Sequence, residues 1–256
     1  MRITILSIFP EELATFARFG VIQKAQESGS LQLELVDPRE YTTDVHRSVD
    51  DAPFGGGPGM LMKCAPLFEA VENNNVPRPV ILLSPGGESM DQRVVRELAG
   101  LSGFTLLCGR YEGVDYRVEE HLVDRTISLG DFVLAGGELA ALCVLEAVSR
   151  LLPEVLGNEE SARSESFEEG LLEYPQYTRP SNFRGYKVPE ILLGGNHREI
   201  SRWRRRQSLL LTAKKRPDLL KQAALSDEEV QFLRENGYSE EVEKIGKPFE
   251  DENARY

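Results

Sequence analysis

The stretch Ser128-Leu129-Gly130-Asp131-Phe132-Val133-Leu134-Ala135-Gly136-Gly137-Glu138 restricts the possible folds of this chain more than any other. An apolar strand ends at Leu129, a short glycine-bounded loop follows, and the helix after it is apolar on nearly every face. A helix of that composition packs against a sheet rather than lying on a surface. The loop in front of it sets backbone N–H groups beside a concavity where a small ligand can be read without side chains. A similar junction lies upstream, where Phe104–Cys108 runs into Gly109-Arg110-Tyr111-Glu112-Gly113-Val114-Asp115. Two such junctions close together point to one ligand site built from loops at strand ends.

Around these junctions, strand-like and helix-like runs alternate. The patterns predict strands over Arg2–Ile8, Leu31–Val36, Pro79–Leu83, Thr105–Cys108 and Arg125–Leu129. They predict helices over Glu11–Ser28 (interrupted at Gly20), Leu61–Asn73, Asp91–Leu101, Val114–His121 and Gly137–Leu152. That alternation gives an α/β class with a largely parallel sheet. Residues 157–170 then hold five Glu and almost nothing apolar, which reads as a flexible linker. Beyond it no strong strand pattern appears. Asn196 with Glu199, and Ser226 with Glu229, are placed as helix-capping pairs. Ile200, Trp203, Gln207, Leu210 and Leu211 share one face of the helix after Asn196, with Arg198, Arg202, Arg205 and Arg206 opposite. The expected division is residues 1–157, a linker over 158–170, and a small, mostly helical domain over 171–256.

A net charge of −12 excludes a protein that coats nucleic acid over its whole surface. The charge is uneven, however. Between Gln176 and Arg216 there are eleven Lys/Arg against two Glu, a local basic patch suited to a defined nucleic-acid site. Cys64, Cys108 and Cys143 have no metal-ligand spacing, and the last two read as small buried hydrophobes. His46, His121 and His197 are scattered, so no metal site is expected. No window approaches membrane-spanning length and no signal-like start is present, so the expected setting is a reducing cytoplasm.

Three further features can be read in two ways. The glycine run Asp51–Met60 allows close backbone approach to a ligand, or is a surface turn; it lacks the Lys-Ser/Thr of a phosphate-binding loop. Ser84-Pro85-Gly86-Gly87 is a third loop after a strand, common alone but pointed beside the other two. Arg150 at the helix end and Glu165 in the linker are ordinary solvated charges by pattern. Their functional alternatives are an anion-stabilising cation and a proton acceptor.

The motifs Asp51–Met60, Leu83–Gly87, Cys108–Asp115, Ser128–Glu138, Tyr177-Thr178-Arg179-Pro180, Gly195-Asn196-His197 and Trp203-Arg204 occur in an order and spacing that resemble the bacterial tRNA (guanine-N1)-methyltransferase family, from Met1 to about residue 220. The resemblance implies the SPOUT fold, whose sheet carries a deep trefoil knot binding S-adenosylmethionine in a bent form. It implies a homodimer with the active site at the subunit interface, the tRNA anticodon arm as partner, and methyl transfer to N1 of guanosine 37. Cofactor contacts are implied at Leu83, Pro85, Gly109, Tyr111, Leu129, Gly130, Asp131, Phe132, Val133, Leu134, Gly136 and Gly137. Substrate contacts are implied at Gly55, Gly57, Gly59, Glu112, Ser166, Arg198, Arg202 and Arg205. Glu165 stands where the family has its general base, often Asp, and Arg150 matches the catalytic arginine. The linker would order only over bound tRNA. Phe54 and Phe132 replace frequent tyrosines, and Mg2+ is an assisting ion with no dedicated cluster. The competing class is an RNA-binding protein with a vestigial knot domain, which need retain neither Glu165 nor Arg150.

Overall fold

The computed structural model describes residues 1–156, 165–167 and 169–243, which divide into two compact units that part at Gly157 and Asn158. Unit 1 is built on a five-stranded sheet of β1 (Arg2–Leu6), β2 (Gln32–Val36), β5 (Val80–Ser89), β6 (Gly103–Cys108) and β7 (Arg125–Ser128). Its order is β2-β1-β6-β5-β7 and every pairing is parallel. β3 (Asp50–Asp51) and β4 (Leu61–Met62) form a separate antiparallel pair.

The sheet is covered on both faces, which is why its strands read as continuous apolar runs. Successive side chains point to opposite faces. On β5, Ile81 and Leu83 enter one core while Val80 and Leu82 enter the other. The first core is closed by α1 (Pro10–Phe16), α2 (Gly20–Glu27), α4 (Gln92–Ala99) and α6 (Glu138–Ser149). The second is closed by α3 (Cys64–Asn73) and α5 (Tyr116–His121). Parallel strands all end on one edge, so the loops after β5, β6 and β7 meet there.

Several expected boundaries shift for local reasons. The predicted Leu61–Asn73 helix starts at Cys64, because Leu61 and Met62 pair with Asp51 and Asp50. Asp115 accepts from Arg117 N at 3.0 Å and so delays α5 to Tyr116. The predicted strand ending at Leu83 continues to Ser89: both Leu83 and Glu88 pair with Ile127, and Ser84–Gly87 is the bulge between them. The helical stretch expected over Glu11–Ser28 is interrupted at Gly20 as expected: α1 ends at Phe16 and α2 opens at Gly20, whose φ is +63°.

The largest correction concerns α6. Its Ala141, Val144, Leu145 and Val148 are buried, but Leu139 is 56% exposed and Cys143 is exposed rather than buried. The helix therefore has a second apolar face that the sheet does not cover.

Unit 2 contains α7 (His197–Lys215), α8 (Pro217–Leu220), α9 (Asp227–Glu235) and α10 (Ser239–Glu243). It also holds a short hairpin of β8 (Asn182–Phe183) and β9 (Tyr186–Lys187), which no sequence pattern announced. The Ser226–Glu229 capping box forms as expected. The buried face of α7 is Ser208, Leu209, Thr212 and Ala213, displaced from the apolar stripe expected through Ile200 and Trp203. No helix among the described residues is long and apolar enough to cross a membrane.

Ser149 is fully buried, and its hydroxyl has no hydrogen-bond partner among the described residues. A buried hydroxyl left without a bond costs about 1–3 kcal/mol. Ser149→Ala is therefore expected to raise the melting temperature by a few degrees in calorimetry; a lower melting temperature would mean that the hydroxyl is bonded after all.

Candidate functional site

A cleft of about 370 Å³ opens at the carboxyl ends of β5, β6 and β7. Its walls are Leu83, Ser84 and Pro85 at the bulge of β5, residues 109–114 after β6, and Ser128–Gly130 with Phe132–Gly137 from the end of β7 onward. Apolar side chains from Leu83, Leu129, Leu134 and Ala140 alternate there with main-chain polar groups, and Glu112 and Glu119 bring carboxylates to the lining. Such a pocket suits a small organic ligand with a flat apolar part and a cationic part.

Glycine makes the close approach of these loops possible. Gly137 N donates to Gly109 O at 2.8 Å, and Arg110 and Gly136 form an antiparallel bridge. A Cβ on Gly137 would lie 2.7 Å from Cys108 Cα, and one on Gly87 would lie 2.5 Å from Ile127 N. Gly130 has a φ of +148°, and its N–H and C=O both bond the Ser128 hydroxyl, at 3.2 Å each. Tyr111 sits at φ +60°, a left-handed conformation that costs a non-glycine residue about 1–2 kcal/mol.

The glycine run 51–60 is stitched to the same site. Glu112 N donates to Met60 O at 3.0 Å, Met62 N to Gly113 O at 3.0 Å, and Asp115 N to Met62 O at 2.9 Å. Gly59 presses on Glu112 so tightly that a Cβ would lie 2.3 Å from Glu112 Cγ. Gly55 and Gly57 stand in open space farther along the loop.

Of the twelve residues expected to touch the cofactor, all but Asp131 line the cleft; Asp131 is exposed outside it. Arg150 ends α6, its N–H donating to Glu146 O at 3.2 Å. Glu165 and Ser166 belong to unit 2, where Glu165 lines a cavity of about 460 Å³ with Tyr174, Arg204 and Arg205. Of the flexible linker expected over 158–170, residues 158–164 and 168 lie outside the described residues; the rest is bonded within unit 2, where Glu173 N donates to the Ser166 hydroxyl at 2.9 Å and Phe167 N to Leu171 O at 2.7 Å. Arg198 and Arg202 are exposed on α7. Arg205 is not free to meet a phosphate: it binds Glu169 at 2.8 Å and Glu229 at 2.6 Å.

Sequence reading missed Arg110 and Glu119 in the cleft wall. Arg110 stacks on Phe9 at 4.8 Å and lies 3.7 Å from Glu138, which also accepts from the Ser7 hydroxyl at 3.0 Å. The signal for Arg110 was present in its place one residue after Gly109. Glu119 accepts from the Thr126 hydroxyl at 3.1 Å, and nothing local marks that contact between separate elements. Burial pushes the Cys108 thiol well up, so this cysteine stays protonated and inert. The Arg117 guanidinium holds the Asp115 carboxyl well below its ordinary range, through bonds at 2.8 Å and 2.6 Å. Among the described residues no group of three or more His, Cys, Asp or Glu could hold a metal ion.

Comparison with known proteins matches residues 1–222 to the family model described as tRNA (Guanine-1)-methyltransferase TrmD. A protein of Moorella thermoacetica named tRNA (guanine-N(1)-)-methyltransferase is 53% identical over 240 residues, covering 92% of this chain and 96% of the relative. Proteins of the same name from a Synechococcus species and from Caldanaerobacter subterraneus are each 50% identical, over 92% and 91% of this chain and 94% and 98% of their own lengths.

Two outcomes are expected from this geometry. Gly137→Ala forces a Cβ into backbone, an overpacking of about 1–3 kcal/mol, and should lower the melting temperature; a variant that melts with the wild type would mean that the two loops are not in contact. The depressed Asp115 pKa gives stability that is present above its unfolded pKa of about 4 and is lost progressively as pH falls below that. In urea titrations the gap between wild type and Asp115→Asn should therefore be widest near neutrality and shrink in acid.

Proposed function

Because this chain belongs to the tRNA (guanine-1)-methyltransferase family, we infer that it is a tRNA (guanine-N1)-methyltransferase whose target is N1 of guanosine 37, beside the anticodon. The observation that carries the site assignment is the cleft at the ends of β5, β6 and β7, which gathers Leu83, Gly109, Tyr111, Leu129, Gly130, Phe132, Val133, Leu134 and Gly137 from three separate segments. Its volume and its glycine-cleared, main-chain-lined walls fit S-adenosylmethionine, with apolar side chains for the adenine and carboxylates for the cationic end. When bound, that cofactor supplies a methyl group already activated on a sulfonium.

The protein's share is then orientation and proton removal. Guanine N1 carries a proton at neutral pH. The Glu165 carboxylate accepts that proton, freeing the ring nitrogen's electron pair for the methyl group. Arg150 supplies a cation where negative charge builds on guanine O6. It sits at the negative end of the α6 dipole, where a guanidinium is favoured. Glu165 is one methylene longer than the Asp common in the family, so its anchoring differs while its chemistry does not. Gly59 and Glu112, locked together at the rim, are the floor on which the target base would rest.

The reading includes a trefoil knot in the sheet, a homodimer and a cytoplasmic setting. The return of the chain from β7 across the end of β6 to Gly137 supports the knot. The uncovered α6 face supports the dimer: Phe16 and Leu139 are about half exposed beside a groove of about 210 Å³ that Phe9, Leu13 and Leu142 also line. Unit 2 is the tRNA-binding part, with Arg198 and Arg202 exposed on α7 to meet phosphates and Mg2+ as an assisting ion without a protein site.

The direct test is methyl transfer from labelled S-adenosylmethionine to an unmodified tRNA transcript with guanosine at position 37, beside one with adenosine there. Label is expected at guanine N1 in the first alone. Glu165→Gln should keep cofactor affinity and lose roughly 10²–10⁴-fold in single-turnover rate; a wild-type rate would remove Glu165 as the base.

A further inference from the structure

Two hydroxyls interrupt the buried face of α7. Ser208 and Thr212 are four residues apart, one above the other on the same side, each followed by a buried apolar residue, Leu209 and Ala213. Thr212 is completely buried. Leu172 N donates to Thr212 Oγ1 at 2.8 Å, and the Ser208 hydroxyl donates to Leu172 O. The Thr212 hydroxyl spends its own proton on Ser208 O at 2.7 Å. A helix has no free backbone edge to offer a passing strand, so these side chains satisfy both main-chain polar groups of Leu172 in its place.

From that grip the chain folds back to Glu165. Glu173 N donates to the Ser166 hydroxyl at 2.9 Å, and Phe167 N to Leu171 O at 2.7 Å. Phe167 and Gly170 turn the backbone at φ +74° and +75°. Leu171 is 4% exposed in the core of unit 2. One turn before Ser208, Arg205 reaches Glu169 on this segment and Glu229 on α9.

We propose that Arg205, Ser208 and Thr212 are positioning residues for the general base: they hold residues 165–167 and 169–173 in a preformed arrangement on α7, so that the Glu165 carboxylate is carried as part of unit 2. This rests on the reading of Glu165 as the base. It also reassigns Arg205 from the phosphate-binding face, because its charge is already taken by two carboxylates. A loosened base leaves binding intact and costs rate, since a displacement of about 1 Å can cost on the order of 10²-fold.

The test is single-turnover methyl transfer by the full chain at saturating S-adenosylmethionine and tRNA, with dissociation constants for both measured alongside. Thr212→Val removes the acceptor with little change of shape and should slow the reaction roughly tenfold or more, with both dissociation constants within about twofold of wild type. Thr212→Ser keeps the hydroxyl and should restore the rate. Glu169→Ala, at a site with a 71% exposed side chain where folding is not at stake, should slow the same step. Arg205→Gln should add little to Glu169→Ala, because the two residues act as one unit. The proposal is overturned if Glu169→Ala and Thr212→Val both react at the wild-type rate, or if the Val and Ser variants fall alike. It is also overturned if Arg205→Gln weakens tRNA binding and flattens its salt dependence while Glu169→Ala changes nothing, the pattern of a phosphate contact. Glu165→Gln run beside them separates the two readings: slow Glu165→Gln with fast Thr212→Val removes only the positioning role, whereas fast Glu165→Gln removes the base and with it the purpose of the arrangement.

Discussion

Everything at the site of unit 1 depends on one steric allowance, the absence of a side chain at Gly137. The chain leaves β7, crosses the end of β6 and enters α6 with its backbone against Cys108 and Gly109. Only that approach brings the loops after β5, β6 and β7 around a common space. The parallel sheet aligns the three strand ends, and the glycine lets the third loop close on the second. The Arg110–Glu138 pair and the Gly59–Glu112 contact extend the same packing outward, one to α1 and the other to the glycine run. The cleft is a consequence of main-chain packing more than of side-chain choice, and for that reason its walls are rich in glycine and poor in charge.

The two units are built by different means. Unit 1 forms its cleft by main-chain packing. In unit 2 the segment around Leu172 is fixed on α7 by the hydroxyls of Ser208 and Thr212 as well as by the burial of Leu171. Precision at a reacting group comes from directional bonds to rigid elements. Ser208 and Thr212 furnish such bonds in a position where a leucine would have furnished only burial.

The parallel sheet, its helices and most of the cleft were legible in the sequence because burial on both faces writes continuous apolar runs, and because glycines at strand ends mark close approach. The errors have physical causes. Cys143 and Leu139 sit in an apolar run and look interior, yet a helix can present a second apolar face to something outside the chain; composition does not distinguish the two. Arg205 shares a helical face with exposed arginines, but Glu169 and Glu229, from other segments, neutralise it, and periodicity along one helix is blind to partners arriving from elsewhere. Thr212 and Ser208 are not singled out in the sequence at all. Their role depends on Leu172, far away in the chain, whose main-chain groups carry no sequence signature. The bulge at Ser84–Gly87 looked like a plain loop because nothing local shows that Glu88 rejoins the strand.

The strand order also bears on how the molecule comes into being. β1 is made first, but one of its two neighbours is β6, so Arg2 waits for Gly103. Until then the first strand has β2 alone beside it and an unpaired edge on its other side. Sheets assembled from such distant pairings form slowly, and their early intermediates carry exposed strand edges. During synthesis the centre of this sheet can be completed once β6 has emerged, before the segments 109–114 and 128–137 that form most of the cleft wall, so the ligand site is finished after the interior of the sheet on which it stands.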